Sequence, residues 1–251
     1  WLKQSVYSSN AMLWRHARIL PNAQRCSAIA GDGRLSSLCR RVAHASSERK
    51  TSTCVEFVAS IDHAKEVASR LSRLPSGSKH DRVDEEQALA LDCEGVRLGR
   101  FGRICLLQIA SASGACFLVD ALRPGLVGAF KAVLENPLIT KVMHDCREDS
   151  AALYHQHGIR LRQVFDTQVA QGMIMKRSGG QDHQASTAEL LKTRLGIDEP
   201  SDRSKVKELM RSDDKIWSRR PLSSILVRYA LHDVMHLLPL HRVLMEETKA
   251  F

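Results

Sequence analysis

No stretch of about 18 consecutive apolar residues occurs in the 251-residue sequence, which argues against a membrane-spanning helix. No C-x-x-C pair occurs among the seven cysteines, which argues against a zinc knuckle. Several cysteines sit inside apolar runs such as RICLLQIA and ACFLVD. They read as buried, reduced thiols of an intracellular, cytosol-like or matrix-like compartment. No internal repeat is visible, and the chain has no room for a polymerase. The net charge of +9 is unevenly placed: residues 1–50 hold nine Lys/Arg and two acids, a net of +7. The remaining 201 residues carry only +2, so the basic pI is no evidence for a nucleic-acid partner.

Residues 1–50 also lack periodicity. From Met12 they run MLWRHARILPNAQRCSAIAGDGRLSSLCRRVAHASS, with six Arg and one acid, the composition of an organellar transit peptide. A solvated basic tail is the equal alternative. The chain opens on Trp1, so Met12 is a candidate start, with residues 1–11 as upstream translation or a fragment edge. The expected compartment is a mitochondrion or other organelle, otherwise cytoplasm or nucleus.

Residues 51–251 read as one domain, with structure from about Cys54. CVEFVAS alternates as a short strand, IDHAKEVASRLSRL follows as an amphipathic helix, and PSGSKHDRVDEEQ is a polar linker. ALALDCEG, GRICLLQIAS and ACFLVDAL are three successive strands. GLVGAFKAVLENP is helical, ITKVMHD is a strand, and REDSAALYHQHG is a helix closed by Gly158. RQVFDTQ gives another strand and TQVAQGMIM another helix. STAELLKTRLGI opens with a capping box, Ser186 with Glu189 three residues on. The charged stretch SDRSKVKELMRSDDKIWSRRPLSS is partly helical, and RYALHDVMHLLPLHRVL is a helix with Pro239 marking a break. Hairpin-joined strands pair antiparallel and helix-joined strands pair parallel. The expected fold class is α/β, with a mixed five-stranded sheet flanked by helices.

Acids stand at the ends of these elements. Asp92 and Glu94 close a strand and, at period two, point to one face. Asp149 opens a helix, with Asp145 four residues earlier as its rival. Tyr229 and Asp233 lie one helical turn apart. Four carboxylates in one cleft would repel, and divalent cations resolve that repulsion. Mg²⁺ and Mn²⁺ favour oxygen ligands, and a pair of them can hold both oxygens of a phosphoryl displacement. Tyr229 would orient the attacking water.

LALDCEG, KVMHDCREDSAAL and YALHD resemble the three motifs of the DEDD 3′–5′ exonuclease superfamily, DEDDy subgroup. VFDTQVAQGMI, LLKTRLGI and WSRRPLSSILVRYALHDVMHLLPL are similar to ribonuclease D in the same order, and LDCEGVRLGRFGRICLLQIA to exonuclease-domain proteins related to Egalitarian. The likeness covers roughly residues 54–245. It implies a ribonuclease H-like fold, two divalent cations (Mg²⁺ or Mn²⁺), and release of nucleoside 5′-monophosphates from the 3′ end of RNA or single-stranded DNA. It places the metal ligands at Asp92, Glu94, Asp149 and Asp233, with Asp149 acting largely through water, and the catalytic tyrosine at Tyr229. Gly95 and Val96 would approach the terminal nucleotide. His144 is a candidate substrate contact, with a structural role as its rival. Arg220 is a candidate phosphate contact, with a salt bridge as its rival. A catalytically weak RNA-binding adaptor is the alternative reading of the chain; protein partners stay open.

Overall fold

The computed structural model describes residues 54–73, 88–180 and 184–249. The expected basic extension and the expected linker over 75–87 lie outside them. By internal packing the chain divides into Trp1–Glu56, described only from Cys54, and Phe57–Phe251, which carries the site below.

Six strands form one mixed sheet: β1 (Cys54–Val58), β2 (Ala88–Val96), β3 (Arg103–Ser111), β4 (Ala115–Asp120), β5 (Thr140–Met143) and β6 (Val164–Asp166). Their order is β1-β4-β3-β2-β5-β6. The β2–β3 and β3–β4 pairs are antiparallel, and β2–β5 and β5–β6 are parallel. The fold class is the expected one, but the sheet has six strands rather than five. The extra strand is Cys54–Val58, whose alternation was legible while its place at the sheet edge was not.

Eight helices are described: α1 (Ile61–Ser72), α2 (Lys131–Leu134), α3 (Arg147–His157), α4 (Thr167–Arg177), α5 (Thr187–Leu195), α6 (Arg203–Ser212), α7 (Ser224–Met235) and α8 (Leu237–Lys249). Among the described residues, none is long and apolar enough to cross a membrane. GLVGAFKAVLENP is less helical than expected: a 3₁₀ turn, Val127–Phe130, leads into the single turn of α2. Gly125 and Gly128 weaken the helix there. The break in the C-terminal helix falls at His236, the cap of α7. Pro239 sits inside the first turn of α8, where its missing N–H costs nothing.

The period-two pattern of β2 divides its side chains between two layers. Leu89, Leu91 and Cys93 enter the hydrophobic core with Ile104, Leu107, Ile109, Phe117 and the apolar faces of α1 and α3. Each fully buried leucine contributes about 1.5–3 kcal/mol. Ala88, Ala90, Asp92 and Glu94 face the other way. Ala90 pairs with Ala110 and Asp92 with Gln108. These alanines are small, and α7 packs on β2 and β3. That docking carries Tyr229 and Asp233 to the strand acids.

Candidate active site

Asp92, Glu94 and Asp233 each offer a carboxylate oxygen within 4.8 Å of the other two. They come from β2 and α7, 141 residues apart at the extremes. Glu94 is buried, and Asp92 and Asp233 are half-buried. Burial and the charges of Asp149, Glu94 and Asp233 push the Asp92 carboxyl well above its usual range. Burial, then Asp233 and Asp149, do the same to Glu94. Burial raises Asp233, against the pull of Arg203.

Asp149 stands outside that trio, in the first turn of α3, close enough for its charge to act on Asp92 and Glu94. Only 6% of it is exposed, and its Oδ1 atom has no hydrogen-bond partner. Burial raises its pKa to about 6, although its own N–H and the Cys93 N–H and thiol hold it down. Burial and the nearby Asp149 and Asp92 charges push the Cys93 thiol well up, so it stays a neutral donor. Asp145 is placed differently: its carboxylate forks to Arg147, 2.5 Å to Nε and 2.9 Å to Nη2. Of the two aspartates, Asp149 is the one whose charge acts on both Asp92 and Glu94.

Asp166, which the sequence reading passed over, fixes this region. Its carboxylate accepts from the N–H groups of Asp145 (3.0 Å), Cys146 (2.9 Å), Gln168 (2.9 Å) and Val169 (3.4 Å). It caps α4 and pins the turn that launches α3, and so positions Asp149. Asp166→Ala should lower stability by about 1–3 kcal/mol, since a cap is lost and buried donors are stranded. Urea unfolding reads that loss; an unchanged midpoint would remove Asp166 from this role.

Tyr229 is half-buried beside Trp217, with ring centroids 6.1 Å apart. Burial, then Asp233 and Glu94, raise its phenol pKa. The hydroxyl therefore stays protonated near neutral pH and serves as a donor, not a base. Over its ring, at 4.5 Å, lies the Arg203 guanidinium. Arg203 also donates to Asp233 Oδ1 at 2.5 Å, and its Nε is 2.8 Å from Glu199 but off the hydrogen-bonding direction. A buried cation thus belongs to the acid cluster, which the sequence reading did not single out. Asp202, at the start of α6, pairs with Arg228 of α7 and brings Arg203 into place.

The remaining candidates fall elsewhere. Gly95 sits at a register shift in β2, where a Cβ would lie 2.2 Å from the Arg103 carbonyl oxygen. That close approach alone requires glycine. Val96 ends the strand, paired with Arg103. The His144 Nδ1 bonds the Thr167 hydroxyl at 2.8 Å, and burial lowers its pKa. Arg220 is the clearest departure. Its Nε and Nη2 reach Asp120 (3.0 and 2.6 Å), Nη2 the Cys105 carbonyl (2.6 Å), and Nη1 the Trp217 and Arg219 carbonyls (2.9 and 2.8 Å). A guanidinium has five N–H donors, so none remains for a phosphate. Arg220 is a clasp between the sheet and the segment before α7. Gln108, beside Asp92 in the register, has Nε2 3.5 Å from Asp92 Oδ2.

The donor set fits divalent cations. It offers four carboxylates, three of them convergent, and one buried oxygen without a partner.

The sequence profile of a family described as 3′-5′ exonuclease matches residues 55–249. The human piRNA biogenesis protein EXD1 is 32% identical over 173 residues, covering 66% of this chain and 34% of that protein. Ribonuclease D of Pseudomonas paraeruginosa is 34% identical over 167 residues, covering 65% of this chain and 41% of that protein. The chain therefore spans a third to two fifths of these curated relatives. The crystal structure of Trypanosoma brucei RNase D in complex with GMP superposes with a TM-score of 0.66 at 27% identity, covering 77% of this chain and 57% of that one. With the profile matching nearly the whole described region, the chain belongs to the 3′–5′ exonuclease family.

Proposed function

We propose that this domain is a divalent-cation-dependent 3′–5′ exonuclease that removes nucleoside 5′-monophosphates from RNA or single-stranded DNA. The convergence of Asp92, Glu94 and Asp233 beside the buried Asp149 carries the reading. Four carboxyls sharing so small a space are costly without cations and useful with them. The GMP held by the trypanosomal RNase D supports a mononucleotide product.

Asp92, Glu94 and Asp233 would hold the cations directly, and Asp149 would complete the set. When bound, two such ions activate water and offset charge on the leaving 3′ oxygen. The chain's own part is alignment. The neutral Tyr229 hydroxyl donates a hydrogen bond that orients the attacking water. Trp217 beside the phenol and Arg203 over its ring fix its position. Gln108 steadies Asp92, and the Cys93 thiol steadies Asp149.

The test is digestion of matched RNA and DNA oligonucleotides, labelled at the 5′ end, with Mg²⁺ or Mn²⁺. A ladder shortening from the 3′ end is expected, lost on chelation. Binding without any cleavage would overturn the reading and favour an adaptor. Tyr229→Phe should lower kcat roughly hundredfold, as removal of one positioned donor does, with KM little changed. A full-rate Phe variant would take Tyr229 out of the reaction.

A further inference from the structure

The loop between β2 and β3 leaves the sheet at the end of β2 that carries Asp92 and Glu94. It reads Arg97-Leu98-Gly99-Arg100-Phe101-Gly102, and Arg103 opens β3. Phe101 is 92% exposed, the most exposed of the large apolar side chains described. The Arg100 guanidinium lies over its ring at 5.1 Å. Arg97, Arg100 and Arg103 are all exposed and form no ion pair among the described residues. The chain beyond residue 50 carries a net of only +2, and here three arginines within seven residues outweigh the Glu148 carboxylate that lies against Gly99.

The loop is held in shape. Arg97 has φ 44° and Gly99 φ 130°. A Cβ on Gly102 would lie 1.7 Å from the Arg97 carbonyl oxygen. Gln156 clamps the base from both sides: its Nε2 donates to the Gly99 carbonyl at 2.9 Å, and its Oε1 accepts from the Ile104 N–H at 2.9 Å. Gln156 lies on α3, the helix whose first turn bears Asp149. One rigid helix thus fixes both a site acid and the loop. By the strand register Glu94 faces Leu106, five residues from Phe101, a distance of at most about 17 Å along the ladder.

An aromatic face in water, flanked by unpaired arginines, has the chemistry of a single-strand platform: bases stack on the ring and phosphates meet guanidinium groups. We propose that the Arg97–Arg103 hairpin docks the single-stranded nucleic acid a few nucleotides behind the 3′ end, with Phe101 stacking a base. This rests on the reading of the acid cluster as an exonuclease site. It adds a second, upstream contact that favours longer strands over dinucleotides.

The experiment pairs binding with hydrolysis. Affinity for a 5′-fluorescein-labelled 12-nucleotide single-stranded RNA is measured by anisotropy in Asp92→Asn and in Asp92→Asn/Phe101→Ala. Loss of the ring should weaken binding about five- to a hundredfold, the range for one stacked base. Phe101→Tyr should retain it, and Arg100→Ala should flatten the salt dependence. In the otherwise wild-type chain, Phe101→Ala should lower the ratio of 12-mer to dinucleotide kcat/KM by a similar factor. An affinity within twofold of the parent, with that ratio unchanged, overturns the platform. So does a Phe101→Ala variant that binds RNA normally but loses a dimer seen by sedimentation, since the ring would then serve a protein contact. Turnover of the 12-mer by the unmodified chain tests the catalytic reading separately. If that turnover is absent while Phe101 still governs 12-mer binding, the exonuclease reading fails and the platform stands.

Discussion

Asp92→Asn should abolish nucleotide release, by at least about a thousandfold, while making the cation-free protein more stable. The two effects share one cause. Asp92 is pushed up by burial and by three neighbouring acids, so its charge opposes folding when no cation offsets it. Asparagine keeps the shape and removes the charge. A structural residue behaves otherwise, because replacing it lowers stability and activity together. Initial rates on a labelled oligonucleotide give the first quantity, and calorimetry in a chelator gives the second. An asparagine variant that keeps a tenth of the rate would show that the reaction does not run through this cluster.

The second large effect is in the pH dependence of stability. The Asp149 pKa of about 6 lies above the ordinary aspartate value of 3.8. A raised carboxyl favours the folded state when protonated, so its contribution is full below pH 3.8 and disappears as pH rises through about 6. The difference is about 3 kcal/mol at 1.36 kcal/mol per pH unit. Asp92 and Glu94 are shifted in the same direction and add to the decline. In a chelator the melting temperature should therefore fall between pH 5 and pH 8, by roughly 3–6 °C from Asp149 alone, since about half of its effect is spent below pH 5. Millimolar Mg²⁺ or Mn²⁺ should raise it at pH 8 far more than at pH 5, since cations bind the ionised site. Asp149→Asn should flatten the cation-free profile. Equal cation stabilisation at both pH values would mean that these carboxyls are not the ligands.

Much of this arrangement is written in short-range spacing. Period two puts Asp92 and Glu94 on one face, and a single helical turn aligns Tyr229 with Asp233. What escaped the sequence depends on distant partners. Arg220 stayed open between a phosphate contact and a salt bridge, because its counter-ion, Asp120, is a hundred residues away. Arg203 is one of several basic residues in a charged stretch, and only the Asp202–Arg228 pair between α6 and α7 turns it inward. The Lys141 ammonium is buried against the Asn136 and Ile139 carbonyls, each at 2.6 Å, a placement the strand pattern does not show. Asp166 went unremarked in the sequence because its bonds to the Asp145 and Cys146 N–H groups join segments 20 residues apart.

Arg203 builds a countercharge into the acid cluster. Its guanidinium, tethered to the chain, sets a positive charge 2.5 Å from Asp233 Oδ1. Part of the repulsion among these carboxyls is thus offset from within the chain.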